Sequence, residues 1–399
     1  MIRNIPRLYL IRTLFWMHFF SAVIIPFYTG WGGITLAQVF YLNAWFFFWN
    51  FVLEVPTGTV ADFFGRKVSL VAGSAVGLIA CLVYASHPGL PTFMGAEVLF
   101  AIAYTLHSGA DEALAYDSLA AEGRAAEARR VIARMEAFKL GGIMASALIG
   151  GAVAGLFGVR STMRAYAIPS VLGILVALTL REPPLSAPAE NREKCGYADI
   201  LREGFRYFFR NRILLLLTAD MALTNAVAWS LIWTYQALLG RAGLPIPAFG
   251  AVHMAMCAGQ IAFLRNVDWI ERKLGSKLRL LLAGSVVCGA AFILLGVNER
   301  LPIVIGGIIV AASFGLPRIA IFSAYLNNHI PSDKRATVLS ISSMLRTLAI
   351  VVMNPISGRL AQRSLNLAML TLGGALILLP LLSRVEERHL EENRGALPG

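Results

Sequence analysis

The sequence predicts an all-α membrane protein of about twelve transmembrane helices in two six-helix pseudo-repeats. Three observations predict it. Of the 399 residues 57% are hydrophobic and only 15% charged, with a mean hydropathy of +0.67, more apolar than a water-facing globular surface tolerates. Apolar runs of about 20 residues, the length a helix needs to cross a bilayer, recur along the chain between short polar turns. One long polar stretch then divides these runs into two equal sets.

In order, the expected spans are 8–29, 34–56, 68–86, 92–116, 132–157, 163–181, 211–238, 248–267, 278–297, 302–327, 336–360 and 366–384. The first run, preceded by Arg3 and Arg7, has the outline of a signal peptide, but it is long, contains Pro26 and lacks a small-residue cleavage site, so it is expected as an uncleaved helix. The fifth carries Gly142, Ser146, Gly150 and Ala154 every four residues, a small-residue face for close helix packing. In the tenth, Gly315 and Pro317 interrupt the helix beside Arg318. The aromatic run "WFFFWNF" at 45–51 reads as lipid contact.

The polar stretch is 182–210, where Pro183, Pro184 and Pro188 stop helix continuation. Its later part sets Ile200, Leu201, Phe205, Phe208 and Phe209 near one face, as in an interfacial amphipathic helix. The expected domains are a helical bundle over 1–181, a linker over 182–210, and a second bundle with a short tail over 211–399.

The formal charge of +12 comes from Lys and Arg in the gaps between apolar runs, not from one basic face, which argues against a nucleic-acid partner. Most of the 35 basic residues fall on the side that holds the N-terminus when the spans alternate, including Arg66, Lys67, Arg130, Arg272, Lys273, Lys334, Arg335 and Arg384. The positive-inside rule makes that side cytoplasmic, with both termini on it. The four cysteines have no ligand spacing, and neither a metal nor a cofactor is expected. There is no HExxH and no phosphate-cradling GxxxxGK[ST], so the chain does not read as an enzyme, and no soluble segment is long enough for the nucleotide domain of an ATP-driven pump.

The halves echo each other. "ADFFGRKVSL" (61–70) follows the second span and "ERKLGSKLRL" (271–280) the eighth, each with an acid, a glycine and a basic pair. Within "EVPTGTVADFFGRK" (54–67), Gly58, Asp62, Gly65, Arg66 and Lys67 form a G-x-x-x-D-x-x-G-R-K pattern. This pattern resembles the signature of the major facilitator superfamily between its second and third helices. "SGADEALAYDSL" (108–119), "NHIPSDKRATVLS" (328–340) and "GLFGVRS" with "LREPP" add to the resemblance, which covers nearly the whole chain and extends to the bacterial drug and metabolite exporter branches. It implies the major facilitator fold in a bacterial inner membrane, a monomer, a small-molecule substrate and alternating access.

The resemblance also implies that Asp62 ties the halves together, facing the start of the eleventh span, where a helix N-terminus favours an anion. On the residues alone, Gly58 would let a neighbouring helix come close and Gly65 would make a tight turn. The chain departs from proton-coupled drug exporters at two places. Thr105 stands where they carry an Arg, and 141–155 lacks their Gly-Pro motif.

Charges inside spans are costly and normally face a cavity or a partner. They are Arg12, His18, His107, Asp111, Glu112 and Lys139 in the first half, and Asp220, His253, Arg318 and Arg346 in the second. The fold implied by the resemblance lines its path with the first, fourth, seventh and tenth helices. That places His18, His107, Asp111, Asp220 and Arg318 beside the path, with Lys139 and Arg346 as further candidates. Asp220 and Arg318 are matched in depth, about 13 Å from one surface at 1.5 Å per residue, and are expected to pair, with Arg346 as a rival for Asp220. Asp111, Lys139 and Arg12 are expected to form a second cluster. The histidines read more readily as packing residues than as proton relays. Glu54 and Glu97 lie near span ends and are expected to reach the interface.

The function expected is secondary transport of a small molecule, as an exporter coupled to protons. The alternatives are a proton-linked uptake symporter and a receptor or sensor on the same scaffold. The partners are then the substrate, protons and the lipid bilayer.

Overall fold

A computed structural model describes residues 4–183, 205–330 and 335–391, without the side chains of residues 55, 62 and 335–337. The side chain of Asp62, Cys195 and the first part of the expected amphipathic segment lie outside the described residues. All regular elements among those described are helical.

Among the described residues, sixteen helices of seven residues or more carry the fold. They are α1 (Asn4–Phe15), α2 (Leu36–Phe64), α3 (Arg66–Tyr84), α4 (Leu90–His107), α5 (Ala110–Ala120), α6 (Ala128–Phe157), α7 (Val159–Ala165), α8 (Ala167–Leu178), α9 (Arg212–Arg241), α10 (Phe249–Arg265), α11 (Val267–Leu274), α12 (Lys277–Val297), α13 (Leu301–Gly315), α14 (Arg318–Asn327), α15 (Arg335–Arg363) and α16 (Leu365–Leu382). Among the described residues, eleven helical stretches are long and apolar enough to cross a membrane, as the run lengths predicted.

The first expected span departs from this. It is not one helix over 8–29: α1 stops at Phe15, and short 3-10, α and π turns carry the chain from Ser21 to Trp31. Pro26 removes a donor from the second piece, and the broken backbone is buried in protein, where a membrane tolerates it. There Gly142 and Gly150 of α6 face the carbonyls of Thr13 and Phe19 so closely that a Cβ would collide with them. The small-residue face of the fifth span is therefore a bed for the irregular first one.

The fourth and tenth spans also break. Gly109, at φ +75, separates α4 from α5, and Pro317 separates α13 from α14. The signature segment is a second correction. It is helical through Phe64, and its turn is Gly65 alone, at φ +92.

The chain divides into two compact units, Met1–Ala189 with Leu244–Met254, and Glu190–Gly243 with Ala255–Gly399. The first packs Leu8, Ile11, Leu70, Leu114, Met135 and Leu180 into one core. The second does the same with Leu214, Leu217, Phe322, Leu326 and Val338, to which Phe208 of the helical stretch 205–210 adds a fully buried ring. Phe205 and Phe209 of that stretch stay exposed.

Each unit fastens the start of its third span with an acid that follows its last. The Glu182 carboxylate accepts from the backbone N–H of Arg66 (2.8 Å) and Lys67 (3.0 Å) at the head of α3. The Glu387 carboxylate accepts from those of Lys277 (2.8 Å) and Leu278 (2.9 Å) at the head of α12. Anions at helix N-termini are favoured by the orphan N–H groups and the helix dipole.

Candidate functional site

In the first unit, the breaks in two spans meet at a charge cluster. Past Gly109 the chain restarts as α5 with Asp111 and Glu112 in its first turn, where acids suit the helix dipole. Asp111 is 2% exposed and accepts a 2.6 Å bond from Arg12 Nη1. Arg12, in the last turn of α1, also pairs with Glu112 at 3.0 Å and with Glu136 of α6. Lys139, one turn along α6, bonds Glu136 at 3.2 Å and sits 4.4 Å above the Trp16 ring. A cavity of about 210 Å³ opens among these groups, lined also by Phe15, Tyr104, His107 and Ser108.

Three expected site residues therefore share one cavity: His107, Asp111 and Lys139. Asp111 pairs with Arg12, while Lys139 pairs with Glu136, three residues earlier on the same helix. His107 packs: its Nε2 lies 3.1 Å from Ser74 Oγ, and its ring stacks on Phe15 at 3.9 Å. His18 stands outside the cavity lining, stacked on Phe20 at 5.1 Å with its edge to Tyr166.

The cluster has a charge excess. Asp111, Glu112 and Glu136 supply three carboxylates, against the two cations of Arg12 and Lys139. Arg12 Nε has no acceptor among the described atoms. The arrangement can take one further positive charge, whether a proton or a cationic group, beside the faces of Trp16 and Tyr104.

In the second unit, Asp220 and Arg318 meet at 2.7 Å with side chains 4% and 7% exposed. Arg318 also donates to Leu281 O at 2.6 Å and to Ser285 Oγ, and its guanidinium lies 5.0 Å from the Phe322 ring. A cation in the first turn of a helix opposes the dipole, so α14 holds Arg318 only because α9 and α12 supply these acceptors. Three of its hydrogen bonds are made inside the protein, through Nη1 and Nη2, while its buried Nε meets no acceptor among the described atoms. Arg346, the expected rival, donates to Ser343 Oγ at 3.4 Å.

The signature residues divide. A Cβ at Gly65 would press on the Glu182 carboxylate, so a turn at positive φ and a cap share one position. Arg66 pairs with Asp117 of α5 and donates to Ala113 O at 2.7 Å, and Lys67 lends its backbone to the cap. Gly58 is exposed on α2, and a Cβ there would meet no described atom within 4 Å, so no helix of its own unit makes the expected close approach among the described residues. A further correction concerns Glu97, which does not reach the interface and is buried against tyrosines.

The family model of the Major Facilitator Superfamily matches residues 8–354. The chain belongs to that superfamily. Solved structures agree on the fold of this superfamily member. The nucleoside transporter NupG is similar with a TM-score of 0.80 at 13% identity, covering 95% of this chain and 97% of its own. A bacterial homologue of the human lysosomal transporter Spinster, inward-facing and unoccupied, gives 0.75 at 16% identity over 97% and 95%. A POT family transporter in complex with a thioalcohol-conjugated peptide gives 0.71 at 14% identity over 95% of each chain. No curated protein sequence matches the chain. The chain is a membrane transporter rather than an enzyme, and its class implies a small-molecule substrate.

Proposed function

We propose that this transporter exports small amphipathic cations in exchange for protons by alternating access, and that the Arg12 cluster is where the two compete. The observation that carries the reading is the surplus carboxylate in a cavity walled by Trp16, Tyr104 and Phe15. One positive charge neutralises the cluster, so a proton and a cationic substrate exclude each other there. That exclusion is the physical requirement for exchange. The rings supply apolar and cation–π contact to the rest of such a substrate. Asp111, Glu112 and Lys139 act on substrate and proton, while His107 and Arg12 position them. In this reading Asp220 and Arg318 clamp the second unit, Asp62 with Gly65, Arg66 and Lys67 gates the change of access, and the protein is a monomer in a bacterial inner membrane with both termini cytoplasmic.

Everted vesicles or proteoliposomes with an acid interior test it, using the lipophilic cation tetraphenylphosphonium as probe. Accumulation that stops when the pH gradient is collapsed supports the exchange. Absence of accumulation, or accumulation indifferent to the gradient, overturns it.

A further inference from the structure

The first unit holds a second buried acid that the Arg12 cluster does not use. Glu97, in the second turn of α4, is 8% exposed and accepts from the hydroxyl of Tyr28, which in turn meets that of Tyr84. Tyr28 Oη donates to Glu97 Oε1 at 3.1 Å and lies 2.9 Å from Tyr84 Oη. Both tyrosines are themselves almost fully buried, in a nest of Phe27, Phe93 and Phe100. The site is built by the break in the first span, because the π turn Phe27–Trp31 is what carries Tyr28 inward.

No Lys, Arg or His among the described residues pairs with Glu97. The groups on the surrounding elements are engaged elsewhere or neutral. On α7, Arg160 donates to Ala85 O (2.8 Å) and Ser86 O (2.9 Å), with its guanidinium over Trp31. Tyr166 donates to Phe15 O at 3.0 Å and is separated from Tyr84 by Phe100. Tyr41 and Glu54 on α2 have interactions of their own, and His87 beyond α3 is exposed. Glu97 therefore differs from Asp111, whose charge Arg12 balances.

An ionised carboxylate at membrane depth without a counter-charge is the costly state, and phenols offset that cost only in part. A protonated carboxyl there costs far less, and its hydroxyl can return a hydrogen bond to one of the two phenols. We propose that Glu97, Tyr28 and Tyr84 form a proton-binding site that keeps the Glu97 carboxyl protonated while this end of the unit is closed. When water reaches it, the carboxylate becomes solvated and the proton leaves, so occupancy follows conformation. The site does not depend on the cation-exchange reading: a receptor on this scaffold would have it too.

The test is difference infrared spectroscopy of the purified full chain in lipid nanodiscs at neutral pH. Wild type should show the carbonyl band of a protonated carboxyl that Glu97→Gln lacks. In Tyr28→Phe and Tyr84→Phe the band should shift, because a hydrogen-bond partner is gone. The two Phe variants serve if Glu97→Gln does not fold. Absence of the band from wild type, its persistence in Glu97→Gln, or a band unmoved in both Phe variants overturns the proposal.

Discussion

Asp111 and Arg318 occupy the same place in the two halves of the chain. Each lies in the first turn of the helix that restarts after a break in the fourth span of its half, behind Gly109 in one case and Pro317 in the other. Their signs are opposite, and so are their circumstances. Asp111 agrees with the dipole of its helix and lines a cavity, whereas Arg318 opposes it and is enclosed by Asp220, Leu281 O and Ser285. A repeated architectural position thus lines a cavity in one half and holds an enclosed ion pair in the other, which the proposed function reads as a working charge and a fastening charge.

The fastening role predicts non-additivity. Asp220→Asn alone strands a buried guanidinium and should cost about 3–5 kcal/mol, and Arg318→Gln should cost a similar amount. The double variant should recover much of the loss, as a double-mutant cycle by thermal melting in detergent would read. Independent, additive losses would show that the two charges do not act as a pair.

The working role predicts a change in coupling. Asp111→Asn leaves two carboxylates against two cations, so the cluster loses its surplus negative charge, and both accumulation driven by the pH gradient and binding of the cationic probe should fall. Gradient-driven accumulation at wild-type level in this variant would rule Asp111 out as the shared binding group.

Packing of the irregular first span predicts a sign reversal between two glycines of α6. Gly141→Ala meets open space and should be neutral, or stabilising by up to about 1 kcal/mol through helix propensity. Gly150→Ala drives a Cβ into the Phe19 carbonyl and should destabilise by about 1–3 kcal/mol. Melting temperatures of the two variants, measured side by side, decide the matter.

The Glu387 cap predicts a pH dependence. Burial alone would raise its pKa, but the Ser276 hydroxyl, the backbone N–H groups of Leu278 and Lys277, and the Lys277 ammonium outweigh burial and hold the carboxyl below its ordinary range. A depressed folded value gives stability that is present above the unfolded value of about 4.3 and lost as pH falls through the folded one. Glu387→Gln should therefore speed amide exchange in the first turn of α12 at neutral pH, by about 1 kcal/mol of local stability. The difference from wild type should vanish under acid. A difference that stays constant across the acid range would exclude the carboxylate as its source.

The spans were legible because run length is a local property, and the break at Pro317 was legible because proline announces itself. The break at Gly109 was not, since an isolated glycine inside an apolar run is compatible with an unbroken helix. The break after Phe15 has neither glycine nor proline at it, and the backbone there is held by α6, more than 120 residues away. Depth counted along a helix put Glu97 at the interface, because nothing in its neighbourhood shows that Tyr28 folds in over it. The contacts of Arg12 with Glu136, of Arg66 with Asp117, and of the third helices with Glu182 and Glu387 were invisible for one reason: spacing reports neighbours on one helix, and these contacts join different segments.

The two terminal caps also set an order of events during synthesis. The N–H groups of Arg66 and Lys67 wait for Glu182, made 116 and 115 residues later, and those of Lys277 and Leu278 wait for Glu387, 110 and 109 residues later. A growing chain emerges N-terminus first, so these N–H groups at the head of each third helix lack their carboxylate until the sixth has been delivered. Each half thus carries its own completion signal. A chain cut short before residue 182 or 387 leaves those N–H groups without the acid that closes the half.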